Sequence, residues 1–349
     1  QARWGHANRG YSALTRLQAL MMDGHFVVEQ GARSKHGLPI NFNGTAGVWR
    51  RACIEDAGGW TFDTLTEDLD LSYRAQMRGW RLCYLPRVIV PGELPVQVGA
   101  FKQQQARWAQ GSIQTALKTL VPLLRSRLSL AGKLQGLLHL TGYLAHPLLL
   151  LNLLLLLPLR LLQGGDPGRA FGMQINGTAV GAATSLAVAA LMAVALGPPL
   201  LFGVAQVAQG RRWGRRLCAL PLLILAGIGV SLNNALAVLK ALLGVRQGFL
   251  RTPKFAVRHG EDSWAGSAYA LGLDPLIWGE LALAAYRGAL LFVPRFSWGL
   301  APWVILYAGG FGYLACASLV QALFLRRWQR ARRAPGRRSA ARKGRPRRA

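Results

Sequence analysis

Residues 134–158 form a run of 25 residues, dominated by leucine, with no Asp, Glu, Lys or Arg. A helix of about 20 apolar residues is long enough to cross a bilayer, so a soluble single-core fold is excluded as the whole answer. The runs 179–206, 269–293 and 300–325 are read as spans as well. The segment 217–243 has the same hydropathy but basic flanks on both sides: Arg211, Arg212, Arg215 and Arg216 before it, Arg246, Arg251 and Lys254 after it. Basic loops stay on the cytoplasmic side. A true span here would place one flank outside and send the C-terminal tail across. The segment is therefore read as interfacial or re-entrant, broken at Asn233-Asn234, with a fifth span as the alternative.

Charge is segregated along the chain. The net charge is +28, and Arg326 to Ala349 carries twelve Lys or Arg and no acid. This tail is expected to be disordered, a cytosolic topology anchor that touches anionic lipid. Trp328 is the one aromatic among these charges, which makes no nucleic-acid-binding pattern, and no nucleic-acid partner is expected. Cys53, Cys83, Cys218 and Cys316 are widely spaced. That argues against a zinc site or disulfide scaffold and for buried or membrane-facing thiols.

Residues 1–97 read as soluble α/β. Helical spacing runs through 11–32, Leu38–Phe42 reads as a strand before the Asn43-Gly44 turn, and Arg51–Ala57 as a short helix closed by Gly58-Gly59. Thr66 is expected to cap a helix over Glu67–Arg78, with acids in its first turn as the macrodipole prefers. Arg81–Val90 reads as one or two strands. Residues 98–128 read as an amphipathic interfacial stretch.

Two constellations stand out. Thr66-Glu67-Asp68 opens a helix, and Gln104, Arg107 and Trp108 share one face of another at i, i+3 and i+4. Transfer of a sugar from a nucleotide donor needs a base for the acceptor hydroxyl, positive charge or metal for the leaving diphosphate, and an apolar face for the acceptor ring. Asp68, Arg107 and Trp108 meet those needs in order, and Gln104 can bond a sugar or phosphate. Each constellation alone has a plainer reading: a well-capped helix start, and an interfacial helix with a snorkelling Arg and an anchoring Trp. His6, His25 and His36 lack ligand spacing and read as loop or core residues. His146-Pro147 reads as a helix bend.

These motifs resemble those of processive family-2 glycosyltransferases of the cellulose synthase-like group. Thr66-Glu67-Asp68 is similar to that family's T-E-D motif, and Gln104-x-x-Arg107-Trp108 to its Q-x-x-R-W. Phe42-Asn43-Gly44-Thr45-Ala46-Gly47 followed by Gly58-Gly59-Trp60 resembles the segment before T-E-D. Phe249-Leu250-Arg251-Thr252-Pro253-Lys254 is similar to the F-x-V-T-x-K gating loop, with Arg where the family has Val. Phe42–Gly47 and Gly92-Glu93-Leu94-Pro95 look closer to the mannan and glucomannan synthases than to cellulose synthase.

The resemblance implies an α/β fold, the C-terminal half of a GT-A-like domain over 1–97. Interfacial helices with the Q-x-x-R-W motif follow over 98–128, then an α-helical transmembrane domain over 134–325 with a gating-type loop at 246–262, then the basic tail 326–349. It implies an inverting hexosyltransferase that extends a β-linked polysaccharide, with Asp68 as general base supported by Thr66 and Glu67. Gln104, Arg107 and Trp108 would bind acceptor and donor diphosphate. Phe249, Thr252 and Lys254 would close over the nucleotide. The donor would be GDP-mannose or UDP-glucose, the acceptor a glycan or a lipid, and the cofactor Mg²⁺ or Mn²⁺. The family's metal-binding D-x-D has no counterpart before Asp68, where only Asp23, Asp56 and Asp63 occur. The donor-binding half is thus expected to lie outside this sequence. Asp68-Leu69-Asp70 is read as the base plus an outward-facing helix acid. A multi-pass location with the catalytic region and tail in the cytosol is expected, in the plasma membrane of a bacterium or the Golgi of a eukaryote. The alternatives are a glycolipid synthase that transfers one sugar to diacylglycerol or ceramide and, more distantly, a non-catalytic membrane transporter.

Overall fold

The computed structural model describes residues 1–162, 196–210, 213–245, 247–293 and 298–333. Strand β1 (Ala2–His6) pairs in parallel with β2 (Leu85–Gly92), the one sheet among the described residues. A parallel pair needs a long crossover, and here it is built of helices. It starts with α1 (Ala13–Asp23), whose N-cap Ser12 and Thr15 form a reciprocal capping box. A π-helical turn (Gly24–Glu29) leads without a break into α2 (Gln30–Lys35). Then come α3 (Arg51–Asp56) and α4 (Glu67–Met77).

Leu38–Phe42 joins no sheet. Its backbone is satisfied by side chains instead: Gln76 bonds both the N–H and the C=O of Ile40, Ser72 Oγ accepts from Phe42 N at 2.9 Å, and Gln30 Nε2 donates to Asn41 O at 2.7 Å. Buried backbone groups must be paired, and amide and hydroxyl side chains on α2 and α4 do here what a neighbouring strand would do.

The 28-residue helix α5 (Val98–Arg125) organises the rest. Around it pack α4, α6 (Leu130–Thr141), α11 (Ser231–Leu242) and α13 (Ala301–Arg333). It is thus packed on several sides, while Leu117, Val121 and Leu124 remain exposed along its C-terminal half. Leu14, Leu17 and Leu20 of α1 share a core with Val98 and Phe101 of α5, Leu223 and Ala226 of α10 (Leu220–Gly229) and Leu314 of α13. The α/β part and the apolar helices thus share this cluster across residue 97.

Two helices among the described residues are long and apolar enough to cross a membrane, Leu130–Pro158 and Ala301–Arg332. The first contains a 3₁₀ turn at Gly142–Leu144 just ahead of His146-Pro147, and runs into α7 (Ala145–Leu162). Within 179–206 only 196–206 is described, where α8 (Gly197–Val207) forms; the rest of that expected span lies outside the described residues. The expected span 269–293 is shorter in the structure. Its α-helix, α12 (Ile277–Ala289), has 13 residues, too few to cross alone. Within it Glu280 and Arg287 are buried. The 217–243 segment is a bent pair. Trp213–Gly229, comprising α9 (Trp213–Leu217) and α10, meets α11 at 41°, the shape of a broken span or a re-entrant loop. The helix α13 continues through Arg326–Arg333, so the first eight residues of the expected disordered tail are helical; 334–349 lie outside the described residues. Cys83 is exposed beside β2, not buried.

Candidate active site

The two constellations meet at the crossing of α4 and α5. Thr66 does not cap α4 through its side chain. Its hydroxyl lies 3.3 Å from that of Thr115 on α5. The main chain of Gly111 passes so close that a Cβ there would fall 2.6 Å from Thr66 Cγ2. That contact sets Glu67 and Asp68 beside the Gln104–Trp108 turn. Gly44 closes the other side at φ +72°, and a Cβ on it would lie 3.1 Å from Asp68 Oδ2. Gly44 thus offers bare backbone to the carboxylate. Gln1, just ahead of β1, fastens the Asn43–Gly47 loop, its Oε1 accepting from Asn43 N at 3.0 Å.

Asp68 Oδ1 accepts from its neighbour's amide, Leu69 N, at 2.8 Å. Burial pushes the Asp68 carboxyl up to about 6; that amide opposes the shift, the charge of Glu67 adds to it, and Arg107 opposes it. Burial lowers the Arg107 guanidinium, and the charges of Asp68 and Glu67 offset this. Arg107 stacks over the Phe249 ring, 5.0 Å from its centroid, with its Nε buried and unpartnered. Gln104 is partly exposed one turn before Trp108.

The second acid of Asp68-Leu69-Asp70 behaves differently from expectation. Asp70 is fully buried, not outward. Its Oδ2 accepts from Thr61 Oγ1 at 2.8 Å, Arg74 Nε at 2.9 Å and Lys118 Nζ at 3.1 Å. The helix period explains why: Asp70 and Arg74 stand at i and i+4 and turn toward Lys118 on α5. Among the described residues no three His, Cys, Asp or Glu side chains gather as a metal site. Asp70 is committed to two cations, and the described residues offer no ligand set for the Mg²⁺ or Mn²⁺ that is expected with the donor-binding half, so no step is routed through one.

Asp68, Trp108 and Thr66 line a cavity of about 430 Å³ together with Gln105, His25, Glu29, Arg33, Asn41 and Asn43. Leu201, Phe202 and Met21 are among its apolar walls. Such a volume with a few convergent polar groups suits a small ligand. His25 is part of this polar wall: its Nδ1 is 2.9 Å from Glu29 Oε2, and Arg33 Nη2 is 3.4 Å from the same oxygen. Burial works to raise the Glu29 carboxyl, but His25 and Arg33 outweigh it and hold it down to about 2. His6 bonds buried Asp23 at 2.9 Å, and neither lines the cavity. The i, i+4, i+8 spacing of His25, Glu29 and Arg33 was a readable signal for the ion-paired face.

Of the 246–262 loop, Phe249 reaches Arg107, and Thr252 is buried with its hydroxyl unpartnered. Lys254 Nζ donates to Glu93 O at 2.6 Å. The Glu93 carboxylate accepts from Phe255 N at 2.9 Å and Ala256 N at 3.1 Å. Glu93 at the end of β2 thereby anchors the loop, a role that no local sequence pattern marks because its partners lie some 160 residues away.

Residues 4–205 match the family model Glycosyl transferase family group 2. The chain belongs to this family. It is of the cellulose synthase-like type. Glucomannan 4-beta-mannosyltransferase 2 of Arabidopsis thaliana is 43% identical over 127 residues, 36% of this chain and 24% of the relative. Probable glucomannan 4-beta-mannosyltransferase 7 of Oryza sativa subsp. japonica is 49% identical over 111 residues, 32% of this chain and 19% of the relative. The matched segment thus spans about a quarter or less of the length of these curated relatives. Membership in family 2 implies a GT-A-type α/β fold, to which the parallel β1/β2 pair and its helical crossover belong.

Proposed function

We propose that the chain forms the acceptor side of a membrane-embedded, inverting hexosyltransferase that extends a β-linked polysaccharide of the mannan or glucomannan kind from a nucleotide-sugar donor. The observation that carries this reading is the convergence of Asp68 and Trp108 on one cavity. Relatives named glucomannan 4-beta-mannosyltransferases support the product class.

In this reading Asp68 is the general base. With its carboxyl at about 6 it is ionised at neutral pH yet close enough to that pH to take a proton in the transition state. It removes the proton from the acceptor hydroxyl as that oxygen attacks the anomeric carbon. The bond to the nucleoside diphosphate breaks, and the electron pair leaves with the diphosphate. Trp108 stacks on the acceptor ring. Arg107 supplies positive charge near the departing diphosphate, and its contact with Phe249 links this site to the 249–254 loop. Gln104 holds the acceptor end, and Thr252 and Lys254 close toward the nucleotide. Thr66 and Glu67 place and tune the base. The two long apolar helices and the bent pair anchor the enzyme in lipid, with the catalytic face and the basic C-terminus on the cytosolic side.

The test is a product assay on membranes containing the full-length natural protein, given labelled GDP-mannose and UDP-glucose separately. Alkali-insoluble polymer from either donor supports the reading. Label that passes wholly into organic solvent contradicts it and assigns a single transfer to lipid.

A further inference from the structure

We infer that His139 donates a hydrogen bond from Nε2 into the Asp68 cavity, to an oxygen of the acceptor sugar, and that Tyr73 holds the imidazole in the tautomer that can do so. This rests on the reading of that cavity as the acceptor site, and adds a binding residue and a positioning residue to it.

Tyr73 of α4 is fully buried and packs among Leu69, Ala116, Leu123 and Leu140. Its hydroxyl lies 2.8 Å from His139 Nδ1 and has no other partner among the described residues. A phenol enclosed in a core must place its proton on an acceptor. Nδ1 therefore accepts, and the proton of the neutral ring sits on Nε2. Gly136 permits this approach: a Cβ there would fall 3.2 Å from Tyr73 Cε1 and 2.8 Å from Leu123 Cδ2. His139 follows one turn later on α6.

The second nitrogen has no such duty. His139 is partly exposed and lines the cavity with Asp68 and Trp108. Its Nε2 is neither bonded to a described residue nor closed off from contact. With Nδ1 committed to the core, Nε2 is the edge that the ring shows to the cavity. The helix that carries it belongs to the first of the two long apolar stretches, where a polar side chain is costly and marks a pathway or a ligand. Satisfying Tyr73 alone would need only an amide oxygen. An uncharged donor suits a hydroxyl or ring oxygen of a pyranose. Asp68 and Glu29 stand on the same cavity and repel a phosphate, and Arg33 is paired with Glu29 at 3.4 Å. Helix α4 carries both Asp68 and Tyr73, so one element places the base and sets the donor.

The experiment is isothermal titration of the detergent-purified protein with β-1,4-mannotetraose, alongside thermal unfolding and nitrogen NMR of isotope-labelled histidine. His139→Asn puts an amide where Nδ1 stands, so it keeps an acceptor for Tyr73 and loses the outward donor. Expected is a Tm near that of wild type and an affinity lower by about three- to tenfold, the worth of one hydrogen bond. His139→Gln, whose amide reaches the place of Nε2, should bind within about twofold of wild type. The wild-type spectrum should show the proton on Nε2, with that resonance moving when saccharide is added. In Tyr73→Phe both tautomers should appear and affinity should fall, although Tyr73 does not reach the ligand. Trp108→Ala tests the acceptor-site reading itself. If it loses binding while His139→Asn binds as the wild type does, the donor assignment is wrong and the acceptor site stands. If the wild-type proton is on Nδ1, or if His139→Asn unfolds several degrees earlier with unchanged affinity, the proposal is overturned. If the wild-type protein takes up no saccharide, both readings are overturned.

Discussion

Gly111 and Thr66 touch backbone to side chain: a Cβ at position 111 would sit 2.6 Å from Thr66 Cγ2 and 2.9 Å from Thr66 N. This contact joins the start of α4 to the middle of α5, and so fixes where Asp68 stands relative to Arg107 and Trp108. Neither motif contains Gly111, yet their distance depends on its lacking a side chain.

Gly111→Ala is expected to force α4 and α5 apart. Helix propensity favours Ala by about 1 kcal/mol, but the clash against backbone costs about 1–3 kcal/mol. Net destabilisation in chemical unfolding, with turnover reduced more than donor binding, is the expected outcome. A variant of unchanged activity would mean that the two motifs tolerate separation.

The two acids of Asp68-Leu69-Asp70 should behave oppositely. Asp70→Ala leaves Arg74 and Lys118 without their shared buried carboxylate. Breaking a buried pair in this way costs about 3–5 kcal/mol, so this variant should unfold early or accumulate poorly. Asp68→Asn should fold normally. Comparing the yield and Tm of the two proteins checks this directly.

The pH dependence of stability follows from the sign of the Asp68 shift. Its folded carboxyl titrates at about 6, above the ordinary 3.8. The folded state therefore holds its proton more tightly than the unfolded chain does. The stability this contributes is complete below 3.8 and is lost as pH rises through about 6. Asp68→Asn removes the group, so its Tm relative to wild type should rise between pH 4 and pH 8. Unfolding curves taken across that range should show it; parallel pH profiles for the two proteins would contradict the buried-carboxylate account.

Glu93→Gln keeps the side chain's size and removes its charge. Hydrogen bonds to a charged group contribute about 1.5–3 kcal/mol, and two of them hold Phe255 N and Ala256 N. Hydrogen exchange at these amides should accelerate about tenfold or more, with exchange in α4 unchanged. Equal protection in both proteins would show that the loop is held by its packing through Val257 and Trp264 instead.

Much of this was legible in the chain. The start of α4, the i, i+3, i+4 face of α5 and the two long apolar helices are local patterns, and helical periodicity reports them well. What failed was non-local. Leu38–Phe42 has a strand's composition, but its partners are Gln30, Ser72 and Gln76, side chains on helices. Asp70 read as outward because nothing adjacent shows that Lys118 sits over it. The residues 269–293 are apolar enough for a span, and hydropathy does not reveal that only 277–289 coil into an α-helix, with Glu280 buried beside Lys102 of α5. His25, Glu29 and Arg33 were readable as an ion-paired face, but not as the wall of the cavity that Asp68 shares.

The most direct test of the central claim, that Asp68 is the base, is the pH profile of sugar transfer by membranes carrying the full-length protein, wild type and Asp68→Asn. The account predicts that wild-type kcat/KM falls about tenfold per pH unit below about 6. It predicts that Asp68→Asn loses about 10²- to 10⁴-fold in turnover, the usual worth of a general base, with donor affinity within about twofold of wild type. An Asp68→Asn enzyme with near wild-type turnover and the same acid limb would contradict it.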